Sequence, residues 1–375
     1  MLTRAGCETR QARFRSMLAG QGLDAAVVTD AHEILYLTGF PIPDFPLAVY
    51  LPAVFYLETE GRSRLIAHTA DEDALADEWA TYEWNMLGTA NPDRTRRLVA
   101  ATVSALSGAT HPRRLGWPVD SLPRLLGERL AEILAPDEWV PIDDQLAALE
   151  KYKEPDEVTC IREAIACDLA GYDAAAQSIG PGVNELAVLE AAHAAATRRA
   201  GRVIYHGGDY ASGAMGGPAR NRFAASGELY IVDAQSRYDG YWSDLSRTYP
   251  VGEATALQRE VYNHVAEILA GVPEMIDVGS SGTDLWRRLD IRIREHPHLR
   301  EVGLMHHGGH GVGVRPHEAP DINRDRDSVF EVGDIFSCEP GAYSPALNFG
   351  LRLENMFRMT DAGVELLSEY PVLTL

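Results

Sequence analysis

Apolar positions along the first part of the chain switch between two spacings. Over residues 8 to 20, Phe14, Met17 and Leu18 recur three and four apart or side by side, which places them on one helical face. LDAAVVTD, 23 to 30, is then an apolar run of strand length and reads as a buried strand. ILYLTGF carries the apolar character to Phe40, after which PIPDFPLAVYLP, 41 to 52, brings prolines that have no place inside a sheet. Beyond it the strand-like VFYLE, RLIAH and RLGWP alternate with the helix-like ADEDALADEWA, RTRRLVAATVSAL and LPRLLGERLAEIL. Such alternation predicts a small α/β domain ending near residue 150. The pattern changes at KYKEPDEVTCIREAIACDLAGYDAAAQSI, where Pro155 suits a first helical turn and Asp156 and Glu157 suit the positive end of the helix. Helices are predicted over 155–178, 184–200 and 255–270, with strand-like segments between them. The division this predicts is 1–152 and 153–375.

Composition narrows the partners. Of 375 residues 46% are hydrophobic, as in a soluble globular chain. Fifty-five acidic residues against 34 basic ones give a net charge of −21, which repels phosphate backbones and anionic lipid heads. Neither nucleic acid nor membrane is therefore expected as a partner. Cys7, Cys160, Cys167 and Cys338 form no CxxC pair, so neither a disulfide framework nor a thiolate zinc site is indicated. LAVYLPAVFYL, 47 to 57, is too short to span a bilayer and is broken by Pro52. The start, MLTRAGCETRQARFR, lacks the apolar core of a secretory signal. These features predict a cytoplasmic protein.

Candidate chemistry is acidic and histidine-rich. GELYIVDAQSRYDGYWSDLSRTYPVG, 227 to 252, reads as a hairpin with a strand ending in Asp233, a turn at Asp239-Gly240 and a second strand holding Asp244. Folding back over that turn brings both carboxylates to one end of the ribbon, where two acids without a cation repel. A single aspartate in such a place is usually a turn former. Glu339 in DIFSCEPGAY shares a face with Ile335 and Ser337, and Glu354 in FGLRLENMFRMT with Arg352 and Met356. A carboxylate inside an apolar strand is costly unless paired or bound to a cation. GLMHHGGHGVGVRPHEAP, 303 to 320, sets four of the twelve histidines among five glycines. His306 and His310 stand four apart and His317 seven later. With no Lys-Ser or Lys-Thr after the glycines, this is a poor phosphate loop. One imidazole with four carboxylates suits Mn, Fe, Co or Zn.

VDAQSRYDGYWSDLSRT, GGHGVGVRPHEAP, SCEPG and LRLEN, in this order, resemble the signature of the superfamily of creatinase, aminopeptidase P, prolidase and methionine aminopeptidase. LDAAVVTDAHEILYLTGF is similar to the N-terminal domain of its creatinase, aminopeptidase P and prolidase branches. The resemblance covers nearly the whole chain. It implies an α+β protein in which a pita-bread catalytic domain follows a smaller creatinase-type α/β domain. Residue by residue, it implies that Asp233, Asp244, His310, Glu339 and Glu354 bind two divalent metal ions, with Asp244 and Glu354 bridging them. Glu339 would also accept the proton of the attacking water. His306 and His317 would hydrogen-bond the substrate carbonyl or carboxylate, and Arg352 would orient a ligand carboxylate. The implied activity is cleavage of the bond before proline in a dipeptide or short peptide. The resemblance further implies a homodimer, with the proline-rich segment after Phe40 as the wall that closes the other chain's pocket.

The pattern breaks at two places. Xaa-Pro peptidases of this superfamily carry a histidine upstream of the first metal aspartate, at a spacing that lands here on Gly216, between Met215 and Gly217. The nearest histidine, His206, comes ten residues earlier, so a rearranged loop is needed for His206, Tyr205 or Asp209 to supply the contact. Gln235 stands where the family usually has glycine. The gap opens a second expectation, that the same metal site serves a small non-peptide metabolite as a C–N hydrolase or a lyase, as in ectoine hydrolase or the dimethylsulfoniopropionate-cleaving branch. A third, a non-catalytic pita-bread binding module, would require loss of ligands that are all present.

Overall fold

In the computed structural model, which describes residues 2–42, 52–83 and 93–372, the strand β1 (Ala25–Val28) is buried on both faces, as an unbroken apolar run must be. Its neighbours are β2 (Val54–Glu58), β3 (Ser63–Ala67), β4 (Glu78–Thr81), β5 (Arg114–Trp117) and β6 (Glu138–Pro141), in a six-stranded sheet of order β4-β3-β2-β1-β5-β6. Pleating splits the side chains between two cores. Ala26, Val28 and Phe55 pack with Phe14, Leu18, Tyr36 and Leu146 from α1 (Arg4–Gly20), α2 (Ala31–Thr38) and α5 (Asp143–Lys151). Ala25, Val27 and Tyr56 pack with Leu98, Leu126 and Leu130 from α3 (Arg94–Leu106) and α4 (Arg124–Leu134). The helix α2 starts where Asp30 accepts from the backbone of His32 at 2.9 Å and stops at Gly39, whose φ of +75° glycine adopts without a Cβ clash.

ADEDALADEWA, expected to be helical, is instead a turn followed by β4. Asp71 accepts from the backbone of Asp73, and Asp77 accepts from the backbone and hydroxyl of Ser63. Acidic side chains that bond local backbone in this way compete with the helix, and Trp79 and Ala80 pair in parallel with Leu65 and Ile66. Of the proline-rich segment assigned to a cross-chain wall, residues 43–51 lie outside the described residues.

The chain divides into two compact units, residues 1–150 and 151–375. In the second, α6 (Pro155–Ser178) opens with a capping box between Glu154 and Glu157 and with Pro155 in its first turn. It packs with α7 (Glu185–Ala200) on the antiparallel strands β7 (Tyr205–Ser212), β8 (Leu229–Tyr238) and β10 (Leu245–Pro250). The hairpin read from the sequence is there, turning at Asp239 and Gly240 with φ of +49° and +85° into β9 (Tyr241–Trp242). It differs in that β8 runs on past Asp233 and Asp244 falls just before β10. After α8 (Ala256–Ala270) and α9 (Gly282–Arg294) comes a second sheet of order β12-β11-β13-β16-β17. Its strands are β11 (Gly309–Gly311), β12 (Glu318–Ile322), β13 (Ile335–Cys338), β16 (Asn355–Thr360) and β17 (Gly363–Leu366), with β14 (Gly341–Ser344) and β15 (Phe349–Arg352) paired beside it. Val265, Leu269, Leu285 and Leu289 of the two helices pack on Phe336, Phe357 and Met359. A bridge between Ser246 and Glu354 ties the two sheets together. Among the described residues, no helix is long and apolar enough to cross a membrane.

Candidate metal centre

Asp233 and Asp244 come from one ribbon. Ser246 is the register partner of Asp233, and Asp244, two residues earlier, falls on the same face, across from Gln235. Gln235 donates from Nε2 to Asp244 Oδ2 at 2.7 Å. Behind the pair, the fully buried Tyr172 of α6 accepts from the Ala234 amide at 3.1 Å and donates to the Leu245 carbonyl. The residue after each aspartate is thus tied to the same phenol.

The other acids arrive from the second sheet. Glu339 follows β13 with its amide on the Gly308 carbonyl at 2.9 Å, and Glu354, between β15 and β16, has its amide on the Ser246 carbonyl at 3.0 Å. His310 is the middle residue of β11, and the strand beside it comes so close that a Cβ on Gly311 would stand 2.0 Å from the Ala319 oxygen. Its Nδ1 lies 3.0 Å from the Gly311 carbonyl, so the proton belongs there and Nε2 turns its lone pair to the acids. That Nε2 stands 3.5 Å from Asp244 Oδ2 and 3.8 Å from Glu339 Oε1.

These side chains line a cavity of about 420 Å³. Their donor atoms fall into triads within 4.8 Å, among them Asp233-Asp244-Glu354 and His310-Glu339-Glu354. Among the described residues neither oxygen of Glu354 has a hydrogen-bond partner, and neither does Oδ1 of Asp244, although these residues are only 1% and 3% exposed. Buried carboxylate oxygens left bare are costly unless a cation meets them. Burial first, then the charges of Glu339 and Asp233, push Glu354 well above the carboxylate range, and Arg352 offsets only part of this. Burial and then Glu354 do the same to Asp244. Burial raises Asp233 to about 6 against the pull of Arg352. Glu339 goes the other way: burial opposes its charge, but the hydrogen bond and charge of His307 hold it at about 2. Four crowded carboxylates and one imidazole aimed at one space fit a divalent-metal site.

Arg352 reaches Asp233 Oδ2 at 2.5 Å through Nε, Asp209 Oδ2 at 2.7 Å through Nη2 and the Tyr343 hydroxyl at 3.1 Å through Nη1. It thus orients one of the metal-facing carboxylates. His306 lines the cavity with Nε2 on the Tyr343 hydroxyl at 2.9 Å and Nδ1 on the His307 carbonyl at 2.5 Å. His317 lies beside His310, ring centroids 3.9 Å apart. His206 does not join them. Strand alternation turns it to the other face of β7, toward α6, where Nδ1 meets Asp168 and Ser236 at 3.2 and 2.9 Å and Nε2 meets the Tyr210 hydroxyl at 2.8 Å. With a fully buried side chain and both nitrogens engaged, it is a structural histidine outside the cavity, not the site residue expected from its place in the sequence. Tyr205 stacks edge-on against Trp242, centroids 5.1 Å apart, so Asp209 alone of the three candidates lines the cavity. Two hydrogen-bonding residues of the cavity escape the sequence reading. His307 places Nδ1 3.0 Å from Glu339 Oε1, and that bond raises its pKa. It stands in the histidine run, but the family motif gives it no role; nothing in the sequence marks Tyr343.

Residues 159–361 match metallopeptidase family M24, and residues 10–149 match the creatinase/prolidase N-terminal domain. An Xaa-Pro dipeptidase of Pyrococcus furiosus is 30% identical over 244 residues, 62% of this chain and 67% of that protein. Two solved structures share the fold: an Xaa-Pro dipeptidase from Bacillus anthracis, with a TM-score of 0.79 at 22% identity over 98% of this chain and 99% of its own, and the prolidase from Pyrococcus horikoshii, with 0.76 at 22% over 98% and 100%. A creatinase-type domain precedes a pita-bread domain here as expected, and the chain belongs to metallopeptidase family M24, a family of metal-dependent hydrolases.

Proposed function

We propose that this protein is a dinuclear Xaa-Pro peptidase that cleaves the bond before proline in a dipeptide or short peptide, as a cytoplasmic homodimer with its catalytic domain over residues 153–375. One observation carries the reading: two donor triads meet at Glu354, whose two buried oxygens have no hydrogen-bond partner among the described residues. A carboxylate with both oxygens bare can bridge two cations. Asp233, Asp244, His310, Glu339 and Glu354 would hold two divalent ions, Mn, Co, Zn or Fe. When bound, such ions supply Lewis acidity toward a carbonyl and a nucleophile at neutral pH. Glu339, held by His307, accepts the proton of the attacking water. His317 and His306 present imidazole to the substrate's carbonyl or carboxylate, and Tyr343 fixes the ring of His306. Arg352 keeps Asp233 in place.

The test is proline release from a panel of Xaa-Pro dipeptides and Xaa-Pro-led tripeptides, using chelator-stripped protein with Mn, Co, Zn or Fe restored. Turnover that appears only with metal is the expected result. Metal uptake without turnover of any peptide would transfer the site to the second reading, a small-metabolite C–N hydrolase or lyase, which the glycine at 216 favours. Sedimentation in the same buffer checks the dimer, and a fully active monomer would remove the cross-chain wall.

A further inference from the structure

The Xaa-Pro reading leaves open which side chain precedes the proline, and one wall of the cavity bears on that choice. Asp209 of β7 is the register partner of Asp233 across the β7–β8 ladder, so the two carboxylates stand side by side on the cavity face. Unlike its neighbours, Asp209 belongs to none of the donor triads. It is also the most open acid of the wall, its side chain 30% exposed against 13% for Asp233 and 8% for Glu339. Its carboxylate takes one protein hydrogen bond among the described residues, from Arg352 to Oδ2. Oδ1 remains available to a ligand.

Asp209 fits there because residue 216 is glycine. A Cβ on Gly216 would stand 2.3 Å from Asp209 Oδ2, and its φ of +123° is one that L side chains rarely adopt. The position where the family's histidine would fall therefore makes room for a carboxylate. The loop that carries Gly216 is held at both ends. The buried Glu185 accepts from the Ser212 amide at 2.9 Å and from the Arg220 amide at 3.0 Å, and Tyr210 donates to the Gly217 carbonyl at 2.9 Å.

Two further features complete a subsite. Arg352, the one arginine lining the cavity among the described residues, donates from Nε, Nη1 and Nη2 to Asp233, Tyr343 and Asp209. With its charge already offset by Asp233 and Asp209, this guanidinium holds little attraction for an incoming carboxylate, which meets the acid of Asp209 beside it. Met215 and Met305 line the same cavity with 45% and 53% of their surface exposed, an adaptable apolar surface for a methylene stem. Apolar methionines and an open carboxylate lining one cavity match a long side chain that ends in a cation.

We infer that Asp209 is a specificity-determining residue: the site takes a lysine- or arginine-like side chain, its methylenes on Met215 and Met305 and its cationic head on Asp209, and disfavours an acidic one. The inference rests on the Xaa-Pro reading for which bond is cut, but not for what the subsite binds. The experiment compares kcat/KM for Lys-Pro, norleucyl-Pro and Glu-Pro in metal-restored wild type and Asp209→Asn. Norleucine keeps the length of lysine and removes only its charge. Lys-Pro should exceed norleucyl-Pro on the order of tenfold in wild type, a charge-assisted hydrogen bond's worth, with Glu-Pro poorest. Asp209→Asn should abolish the lysine advantage, mainly through KM, and improve Glu-Pro. Calorimetry of free L-lysine against L-norleucine on both proteins reads the same subsite without turnover. If peptides are cut with no lysine advantage, or Asp209→Asn leaves the ratio unchanged, the inference falls while the peptidase reading stands. If no peptide is cut but lysine still binds more tightly than norleucine through Asp209, the peptidase reading falls and the cation subsite stands. Should the variant not fold, the lysine-to-norleucine ratio of the wild type decides alone.

Discussion

Glu354 shows how much a single residue can disclose. Its carboxylate is buried, bare on both oxygens among the described residues and surrounded by Asp233, Asp244 and Glu339, so without a cation it is a source of repulsion in the fold. Glu354→Gln removes the charge and keeps the shape. The metal-stripped variant should be at least as stable as stripped wild type, while the rise in melting temperature on adding Mn or Co should largely vanish and turnover fall by at least about a hundredfold. Thermal melts with and without metal check this; a stripped variant clearly less stable than stripped wild type would mean that Glu354 has a protein partner. Residues of this kind are legible in a sequence because an acid inside an apolar strand already signals a cost that something must offset. His206 misleads for the complementary reason. Spacing along a chain says that a histidine is near, but only the pairing of β7 with β8 decides which face it occupies, and that pairing turns His206 to α6 and Asp209 to the cavity.

Between residues and fold stand the elements, and here the β7–β8 connection depends on one buried anion. Glu185, the first residue of α7, has a fully buried side chain. It accepts from the Ser212 amide and hydroxyl and from the Arg220 amide, Nε and Nη2, at 2.6 to 3.0 Å. Burial alone would raise its pKa, but the bonds from Arg220 and Ser212 win and lower it from an ordinary 4.5 to about 2. A carboxyl whose folded pKa is depressed contributes stability above its unfolded pKa and loses it as pH falls through the folded one. Glu185→Gln should therefore cost about 1.5–3 kcal/mol at neutral pH, where the charge-assisted bonds from Ser212 and the half-exposed Arg220 are lost. The gap between variant and wild type should close between about pH 4.5 and 2. Urea midpoints across that range measure it, and a gap independent of pH would exclude the charged network. None of this is visible in the sequence, where Arg220 and Glu185 are two ordinary charges 35 positions apart. The helix wrongly expected over ADEDALADEWA fails for a related reason: Asp71 and Asp77 bond backbone within reach, and only the presence of β3 makes that a better use of them.

At the scale of the whole molecule, the order of the four motifs implied a pita-bread domain, and its two sheets bring together short acidic and histidine-bearing segments far apart in sequence. The same convergence predicts where the molecule responds to metal. Every proposed ligand lies in residues 151–375, on β8 and β11, just before β10 and at the ends of β13 and β15, and the groups that orient them lie there too. Ion binding stabilises only the state in which these segments are assembled. At a free concentration a hundred times Kd the gain is about 2.7 kcal/mol, or roughly 5–10 °C in the melting of a unit of this size. Stripping the protein with chelator should then speed amide exchange in 229–250, 306–311 and 335–355, while β1 and β2, whose core contains no ligand, keep their protection. Exchange followed by mass spectrometry on stripped and reloaded protein resolves the two regions. Uniform loss of protection in both would show that metal holds the fold of the whole chain together, and no change in either would show that the acids of the cavity are neutralised by protons rather than by a bound cation.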